Sequence, residues 1–214
     1  MGHGQPFALG GDSGSVVYSN DGSPIGLVVA VNKELGRTYA CEAINIEEIL
    51  RISFTPLKHS SLLKVQYDNT TLPNDPKDRF DILVAGISIG HGLVSAGTLG
   101  AFVWDKETGE LMALTCAHVA APPGAKVGDP IYQPGPLDIR EKFRREPNDA
   151  DIAGHLVRWC EISSSKVNKI DAAIFRPTRP VWPDYLPGGG RRPLKRPRRP
   201  RTRNKRGSKI SYRI

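Results

Sequence analysis

The sequence contains no long apolar run, and this absence limits the classes of protein to which it can belong. No stretch of the 214 residues approaches the roughly 20 apolar residues that a helix needs to cross a bilayer. The first residues, MGHGQPFALGG, lack the basic region followed by an apolar stretch that marks a secretory signal. We therefore expect no membrane partner and an intracellular location, either cytoplasmic or nuclear.

Cysteine is scarce, and the number of cysteines is odd. Cys41, Cys116 and Cys160 are widely spaced, which excludes the disulfide framework of a small secreted protein. They also lack the spacing of metal ligands, so we expect buried thiols that pack as small apolar groups, and no metal site. No nucleotide-binding motif occurs either, and the sequence predicts no cofactor.

Acidic residues are absent from the last 27 positions, which hold 12 Lys and Arg. Without these positions the overall charge of +8 changes sign, because 18 basic residues remain against 22 acidic ones. The stretch from Arg191 to Arg206 carries ten of the basic residues together with three prolines, a composition typical of a disordered tail. Such a tail is compatible with nucleic-acid binding, with a nuclear-import receptor, or with no partner.

The residues that are plentiful favour a β-rich protein. Gly (22) and Pro (18) indicate many turns, and apolar residues (39%) suffice for a core. Short runs with turns between them predict an all-β fold with a hairpin around residues 105–110. A short helix is predicted near residues 45–53. Strands are predicted at residues 15–19, 25–31, 38–41, 62–67, 98–104, 111–116, 127–133, 152–160 and 172–176.

One pentapeptide has the composition of a nucleophile turn, Gly11-Asp12-Ser13-Gly14-Ser15. A nucleophilic serine needs a tight turn that exposes its hydroxyl, with backbone N–H groups nearby for the developing oxyanion. The two glycines permit such a turn. An ordinary Gly/Ser turn between strands is the competing interpretation of these residues.

Two further motifs lie at the ends of predicted strands, one with a histidine after a strand and one with an aspartate before a strand. His118, in the segment Thr-Cys-Ala-His-Val, ends an apolar strand where a general base would be held in place. Asp171, in Asp-Ala-Ala-Ile, begins another apolar segment, and a carboxylate there is suited to orient an imidazole. Each motif alone is also explained by an ordinary polar residue at a strand end, but all three together favour one site.

The three motifs resemble those of the trypsin/chymotrypsin clan of serine peptidases, in its non-secreted, bacterial-type branch. GDSGS is similar to the clan's serine motif, TCAHV to its T-A-A-H motif and DAAI to its D-I-A-L motif. The resemblance implies a serine endopeptidase with Ser13 as nucleophile, His118 as general base and Asp171 as orienting carboxylate. It further implies an oxyanion hole at the N–H groups of Gly11 and Ser13. A strand of Val29, Ala30 and Val31 would bind the backbone of a peptide or protein substrate.

The order of these motifs differs from that of the resembled family, which runs His, Asp, Ser. The resemblance divides the chain into part of a second barrel with the serine motif (1–53), a linker (54–79), a near-complete first barrel with the His and Asp motifs (80–180) and a basic tail (181–214). Neither the ten residues before Gly11 nor the stretch after Asp171 has room for the early strands of the second barrel. A circular permutant, a slice through tandem copies, and a chain completed by a second copy or another chain all fit. We expect the slice or degenerate copy, and the functional alternative is an inactive remnant that binds peptides or nucleic acid.

Overall fold

The computed structural model describes residues 8–55, 72–163 and 165–183, and the regular structure among them is mostly antiparallel β-sheet with few helices. This agrees with the all-β class predicted above. The strand predicted at residues 62–67 and the basic stretch from Arg191 to Arg206 lie outside the described residues. The strands are β1 (Val16–Tyr18), β2 (Pro24–Asn32), β3 (Arg37–Glu42), β4 (Ile52–Ser53), β5 (Ser88–His91), β6 (Gly97–Thr98), β7 (Ala101–Asp105), β8 (Leu111–Thr115), β9 (Pro130–Tyr132), β10 (Ile152–Trp159) and β11 (Ala173–Pro177). The helices are α1 (Ala43–Ile49), α2 (Ala117–Ala120) and α3 (Pro136–Phe143), with a 3-10 turn at Asp149–Asp151.

A small sheet in the order β1-β2-β3 is built by the segment that carries the serine motif. The predicted turn between β1 and β2 is present, and the Gly22 N–H donates to the Ser19 carbonyl across it at 2.9 Å. Strand β2 then pairs with β3 from Gly26 opposite Glu42 to Asn32 opposite Arg37. Among the described residues, the segment predicted to end at residue 53 also contributes helix α1 and strand β4, and β4 pairs with β7 in the larger sheet rather than with β1, β2 or β3.

The larger sheet has eight strands in the order β4-β7-β8-β11-β10-β9-β5-β6. It contains the predicted hairpin, in which β7 and β8 pair with Trp104 opposite Leu111. Strands β6 and β7 stand near opposite ends of this order, yet only Leu99 and Gly100 separate them along the chain. The sheet must therefore curve back on itself. Over the described ranges, however, its hydrogen-bonded ladder does not close into a ring.

The predicted strand over residues 98–104 is wrong in one respect, because the structure divides it at Gly100. Strand β6 pairs with β5, whereas β7 pairs with β8. A Cβ on Gly100 would lie 2.0 Å from the Gly14 carbonyl oxygen, so the chain passes directly against the serine loop at this point. The division of the strand thus brings the two halves of the chain into contact.

Other element boundaries also differ from the prediction. The helix predicted near residues 45–53 begins earlier, at Ala43, and the side chain of the expected cap Asn45 instead donates to Glu42 at 3.3 Å. The helix also ends earlier, at Ile49, because residues 52 and 53 form strand β4, which pairs with β7. The helix α3 was not predicted, since its polar sequence carries no clear apolar stripe. Within the described ranges, no helix has the length and apolar character that crossing a membrane requires.

The core is continuous across the two segments of the chain. Leu27 of β2 and Ile46 of α1, from the serine segment, belong to the same buried cluster as Leu114 of β8 and Phe175 of β11. These four side chains are fully or almost fully buried. Since apolar burial is the main favourable contribution to folding, this shared core fixes the serine segment against the strands that carry His118 and Asp171.

A buried carboxylate away from the candidate site gives a stability prediction. Asp151, whose side chain is 0% exposed, accepts hydrogen bonds from the Arg145 guanidinium and from the Asn148 N–H. Burial alone would raise the pKa of Asp151, but these hydrogen bonds outweigh it and hold the pKa below the usual value. Arg145→Ala should therefore lower the free energy of unfolding by about 2 kcal/mol at neutral pH.

Chemical denaturation measures this loss, and Arg140→Ala is the matched control. Arg140 pairs with the exposed Glu146 at 2.9 Å, a type of surface pair worth at most about 1 kcal/mol. Because the pKa of Asp151 is depressed in the folded state, its stabilising contribution is complete above the unfolded value of about 3.9 and is lost as the pH falls through the folded value. The stabilising role of Asp151 would be contradicted if both variants lost the same free energy of unfolding. It would also be contradicted if the difference between the two losses grew as the pH is lowered.

Candidate active site

Ser13 lies in a loop that ends at strand β1, and two glycines shape this loop. Gly11 and Gly14 both have φ of +101°, in the region that side chains rarely adopt. The Gly14 N–H donates to the Val28 carbonyl at 2.8 Å, and the Val28 N–H donates back to Ser15 at 2.8 Å. The serine loop is thereby fixed to strand β2.

Around Ser13, backbone N–H groups that donate a hydrogen bond alternate with N–H groups that do not. Asp12 N–H donates to the Leu9 carbonyl at 3.2 Å, and Gly14 N–H is used as described above. In the described part of the chain, the N–H groups of Gly11 and Ser13 have no hydrogen-bond acceptor. These are the two groups predicted as an oxyanion hole, and an unsatisfied pair of this kind can receive a developing negative charge.

His118 and Asp171 form a hydrogen-bonded pair. Strand β11 pairs with β8 so that Ala173 lies opposite Thr115, which brings Asp171, before β11, next to His118 in α2. One carboxylate oxygen of Asp171 lies 2.5 Å from His118 Nδ1, and the other accepts the His118 backbone N–H at 3.1 Å. Because a carboxylate only accepts, the contact at Nδ1 favours the neutral tautomer that carries its proton on Nδ1 and its lone pair on Nε2.

The serine loop and the histidine segment meet at two places. The Val28 carbonyl accepts both the Gly14 N–H and the Cys116 thiol, the latter at 3.1 Å. Gly97 separates the two segments, since a Cβ there would lie 3.1 Å from the Ser13 carbonyl oxygen and 2.4 Å from a methyl of Val119. The structure thus brings the three predicted motifs together within one chain.

Thr98 connects the serine loop to the large sheet. Its N–H donates to the Ser13 carbonyl at 2.9 Å, and its hydroxyl donates to the Gly11 carbonyl at 2.8 Å. Its own carbonyl accepts the hydroxyl of Thr115 at 2.8 Å. No local sequence pattern identifies Thr98 or Thr115 as site residues, because their hydrogen bonds join residues that are far apart along the chain.

The Ser13 hydroxyl itself donates to the Val29 carbonyl at 3.2 Å. Among the residues that the structure describes, no hydrogen bond joins Ser13 to His118. The side chain of His118 is 40% exposed and that of Asp171 18% exposed, so the imidazole is accessible from solvent. The histidine–aspartate half of the predicted site is therefore formed, while the serine hydroxyl points along β2.

Strand β2 has an open edge next to Ser13. Its residues Ala30 and Val31 pair with β3 on one side, opposite Tyr39 and Thr38. On the other side, pairing with β1 reaches only Leu27, and no strand of the described residues continues it past Val29. An open edge is able to accept an extended peptide as an added strand. Val29, Ala30 and Val31, the residues predicted to bind substrate, lie at or beyond the point where this pairing ends.

The three cysteines are free, and two of them lie at this site. Cys116 is fully buried below His118, and burial raises the pKa of its thiol. Cys41 accepts the Asp171 N–H at 3.2 Å, and its pKa is raised by burial as well. The wide spacing of the cysteines predicts only that the thiols pack as small apolar groups, and it does not indicate that two of them lie beside the aspartate.

Comparison with protein-family models, with curated proteins and with solved structures finds no match to this chain. The assignment of a function therefore depends on the geometry of Ser13, His118 and Asp171 and of the groups that surround them.

Proposed function

We propose that this chain is a serine endopeptidase of trypsin-like architecture that cleaves peptide bonds through an acyl-enzyme. The observation that carries the proposal is the double hydrogen bond from His118 to Asp171, at 2.5 and 3.1 Å, beside a serine loop with two open N–H groups. A carboxylate that fixes an imidazole next to a serine is the arrangement that activates a hydroxyl for acyl transfer.

In the proposed reaction the Ser13 hydroxyl turns from the Val29 carbonyl towards His118 when substrate binds, since catalytic hydrogen bonds often shorten only in the complex. Ser13 Oγ bonds to the scissile carbonyl carbon, and its proton passes to His118 Nε2. The carbonyl oxygen takes up the negative charge and accepts the N–H groups of Gly11 and Ser13. Asp171 stabilises the imidazolium and stays ionised.

The tetrahedral intermediate then collapses. The carbon–nitrogen bond breaks, the amine leaves with the proton from His118, and Ser13 keeps the acyl group as an ester. Water next loses a proton to His118 and attacks this ester, which releases the carboxylic acid and returns the proton to Ser13. The substrate backbone would lie along the open edge of Val29, Ala30 and Val31, in the β-augmentation mode.

The shared core supports an arrangement in which one chain supplies all three groups, like a circular permutant with a reduced second barrel. Leu27 next to the serine loop and Leu114 next to the histidine segment are buried in one cluster. The curvature of the larger sheet, which returns from β6 to β7 over two residues, supports the barrel assigned to the histidine segment.

A fluorophosphonate probe tests this proposal on the full chain. We expect covalent labelling of one serine, mapped to Ser13 by mass spectrometry, because the probe reacts only with an activated hydroxyl. Ser13→Ala should remove the label, and His118→Ala should reduce labelling to background. Ser15→Ala is the matched control, because in the described part of the chain Ser15 holds the loop through backbone hydrogen bonds to Asp12 and Val28 and through none from its side chain. An unlabelled wild type would favour the inactive remnant instead, and a label that persists in Ser13→Ala would disprove the role of Ser13 as nucleophile.

A further inference from the structure

Three potential metal ligands converge at the base of the proposed site. Cys116, His118 and Asp171 each offer one ligand atom, and these atoms all lie within 4.8 Å of one another. A thiolate, an imidazole and a carboxylate are the donors that Zn²⁺ uses in proteins, and three protein ligands leave a position for water. We propose that this cluster binds a thiophilic divalent cation of the zinc type, and that the bound cation switches the peptidase off.

The cluster can reach metal-binding geometry by small side-chain movements. Bonds of about 2.3 Å to sulfur and about 2.0–2.2 Å to nitrogen and oxygen put neighbouring ligand atoms roughly 3.3–3.8 Å apart. The contact of 2.5 Å between His118 Nδ1 and Asp171 would therefore open by about 1 Å. Entry is from the side of the imidazole, which is 40% exposed, whereas Cys116 forms the buried floor.

The neighbouring groups tolerate this change. Cys116 would release its thiol proton to solvent and give up its hydrogen bond to the Val28 carbonyl, which keeps the Gly14 N–H at 2.8 Å. Asp171 would keep the backbone N–H of His118 on its second oxygen and would still donate its own N–H to Cys41. Among the described residues, each of these hydrogen-bonding groups keeps a partner after the binding step, which limits its cost.

The cation would inhibit by fixing the wrong tautomer of His118. The nitrogen that faces Asp171 is Nδ1. A metal bound there displaces the Nδ1 proton to solvent, and Nε2 takes up a proton from water, because a neutral imidazole that binds a metal through one nitrogen carries its proton on the other. A protonated Nε2 cannot accept the proton of Ser13, so acylation stops. This consequence rests on the proposed peptidase function, whereas the binding of the metal does not.

Binding is tested with Co²⁺ alone on the reduced full chain, because a cobalt–thiolate bond gives a charge-transfer band in the near ultraviolet. We expect the band to saturate at one equivalent in the wild type and in Ser13→Ala, and to vanish in Cys116→Ala. His118→Ala should weaken binding at least about tenfold. This variant tests the site if Cys116→Ala, a substitution in the core, does not fold. Cys160→Ala is the matched control and should bind as the wild type does. The site is wrong if the wild type shows no band, or if the band survives in Cys116→Ala.

The inhibitory effect is tested separately by fluorophosphonate labelling in the presence of Zn²⁺. We expect Zn²⁺ to suppress labelling of the wild type, and Cys116→Ala to need at least about tenfold more Zn²⁺ for half-suppression. A cobalt band without any labelling of the metal-free protein would disprove the peptidase and keep the metal site. Labelling that Zn²⁺ leaves unchanged, in a protein that shows the cobalt band, would disprove the inhibition.

Discussion

Asp171→Asn should lower kcat by about 10⁴ while KM stays nearly unchanged. The carboxylate accepts two donors, the ring nitrogen of His118 at 2.5 Å and the His118 backbone N–H at 3.1 Å. An amide has one oxygen, and the backbone N–H is a donor in every tautomer. The oxygen therefore goes to the backbone, and the amide NH₂ turns to Nδ1. This places the ring proton on Nε2, where it blocks proton transfer from Ser13.

A peptide substrate selected by screening against the wild type allows kcat and KM to be measured separately. The matched control is Asp129→Asn, because Asp129 also contacts a histidine, His91, at 3.3 Å, but has no part in the proposed mechanism. We expect this variant to keep wild-type kcat. If Asp171→Asn retained more than about a tenth of wild-type kcat, the orienting role of Asp171 would be ruled out.

Local patterns in the sequence predicted the elements whose structure depends on near neighbours. The β7–β8 hairpin follows from two apolar runs around a polar turn, and β10 and β11 follow from similar runs. The pairing of β11 with β8 then places Asp171 at His118, as the two motifs had indicated. A motif at the end of a strand predicts the position of its side chain well, because the pairing of the strand fixes the backbone from which that side chain extends.

The rest of the site depends on contacts that no local pattern records. Thr98 binds Gly11 from 87 positions away, and Cys116 binds Val28 from 88 positions away. The reversed order of the motifs left open whether one chain supplies all three groups, since the sequence does not state how the serine segment packs. The division of the β6–β7 segment at Gly100 was hidden for the same reason: it depends on the Gly14 carbonyl, which belongs to the other segment.

Because of these long-range contacts, we expect Gly14→Ala to have the largest effect on the reactivity of Ser13 after Asp171→Asn. A Cβ on Gly14 would lie 2.3 Å from the Thr98 carbonyl oxygen and 2.5 Å from the Thr115 hydroxyl, and φ is +101°. Gly14→Ala must therefore move the loop away from Thr98, and Ser13 moves with it. A displacement of about 1 Å costs roughly 100-fold in rate, and the backbone strain adds about 1–3 kcal/mol of destabilisation.

We expect Gly14→Ala to react with the fluorophosphonate probe at least about 100-fold more slowly than the wild type and to unfold roughly 3–10 °C lower in a thermal scan. Gly10→Ala, four residues earlier, is the matched control, because nothing lies within 4 Å of a Cβ at Gly10. It should label and unfold as the wild type does. If Gly14→Ala is almost entirely folded at the temperature of the assay, unfolding cannot explain a roughly 100-fold slower labelling rate. Slow labelling of the folded variant would then show that the contact with Thr98 sets the position of Ser13. Normal labelling of Gly14→Ala would show instead that the loop acts independently of the large sheet.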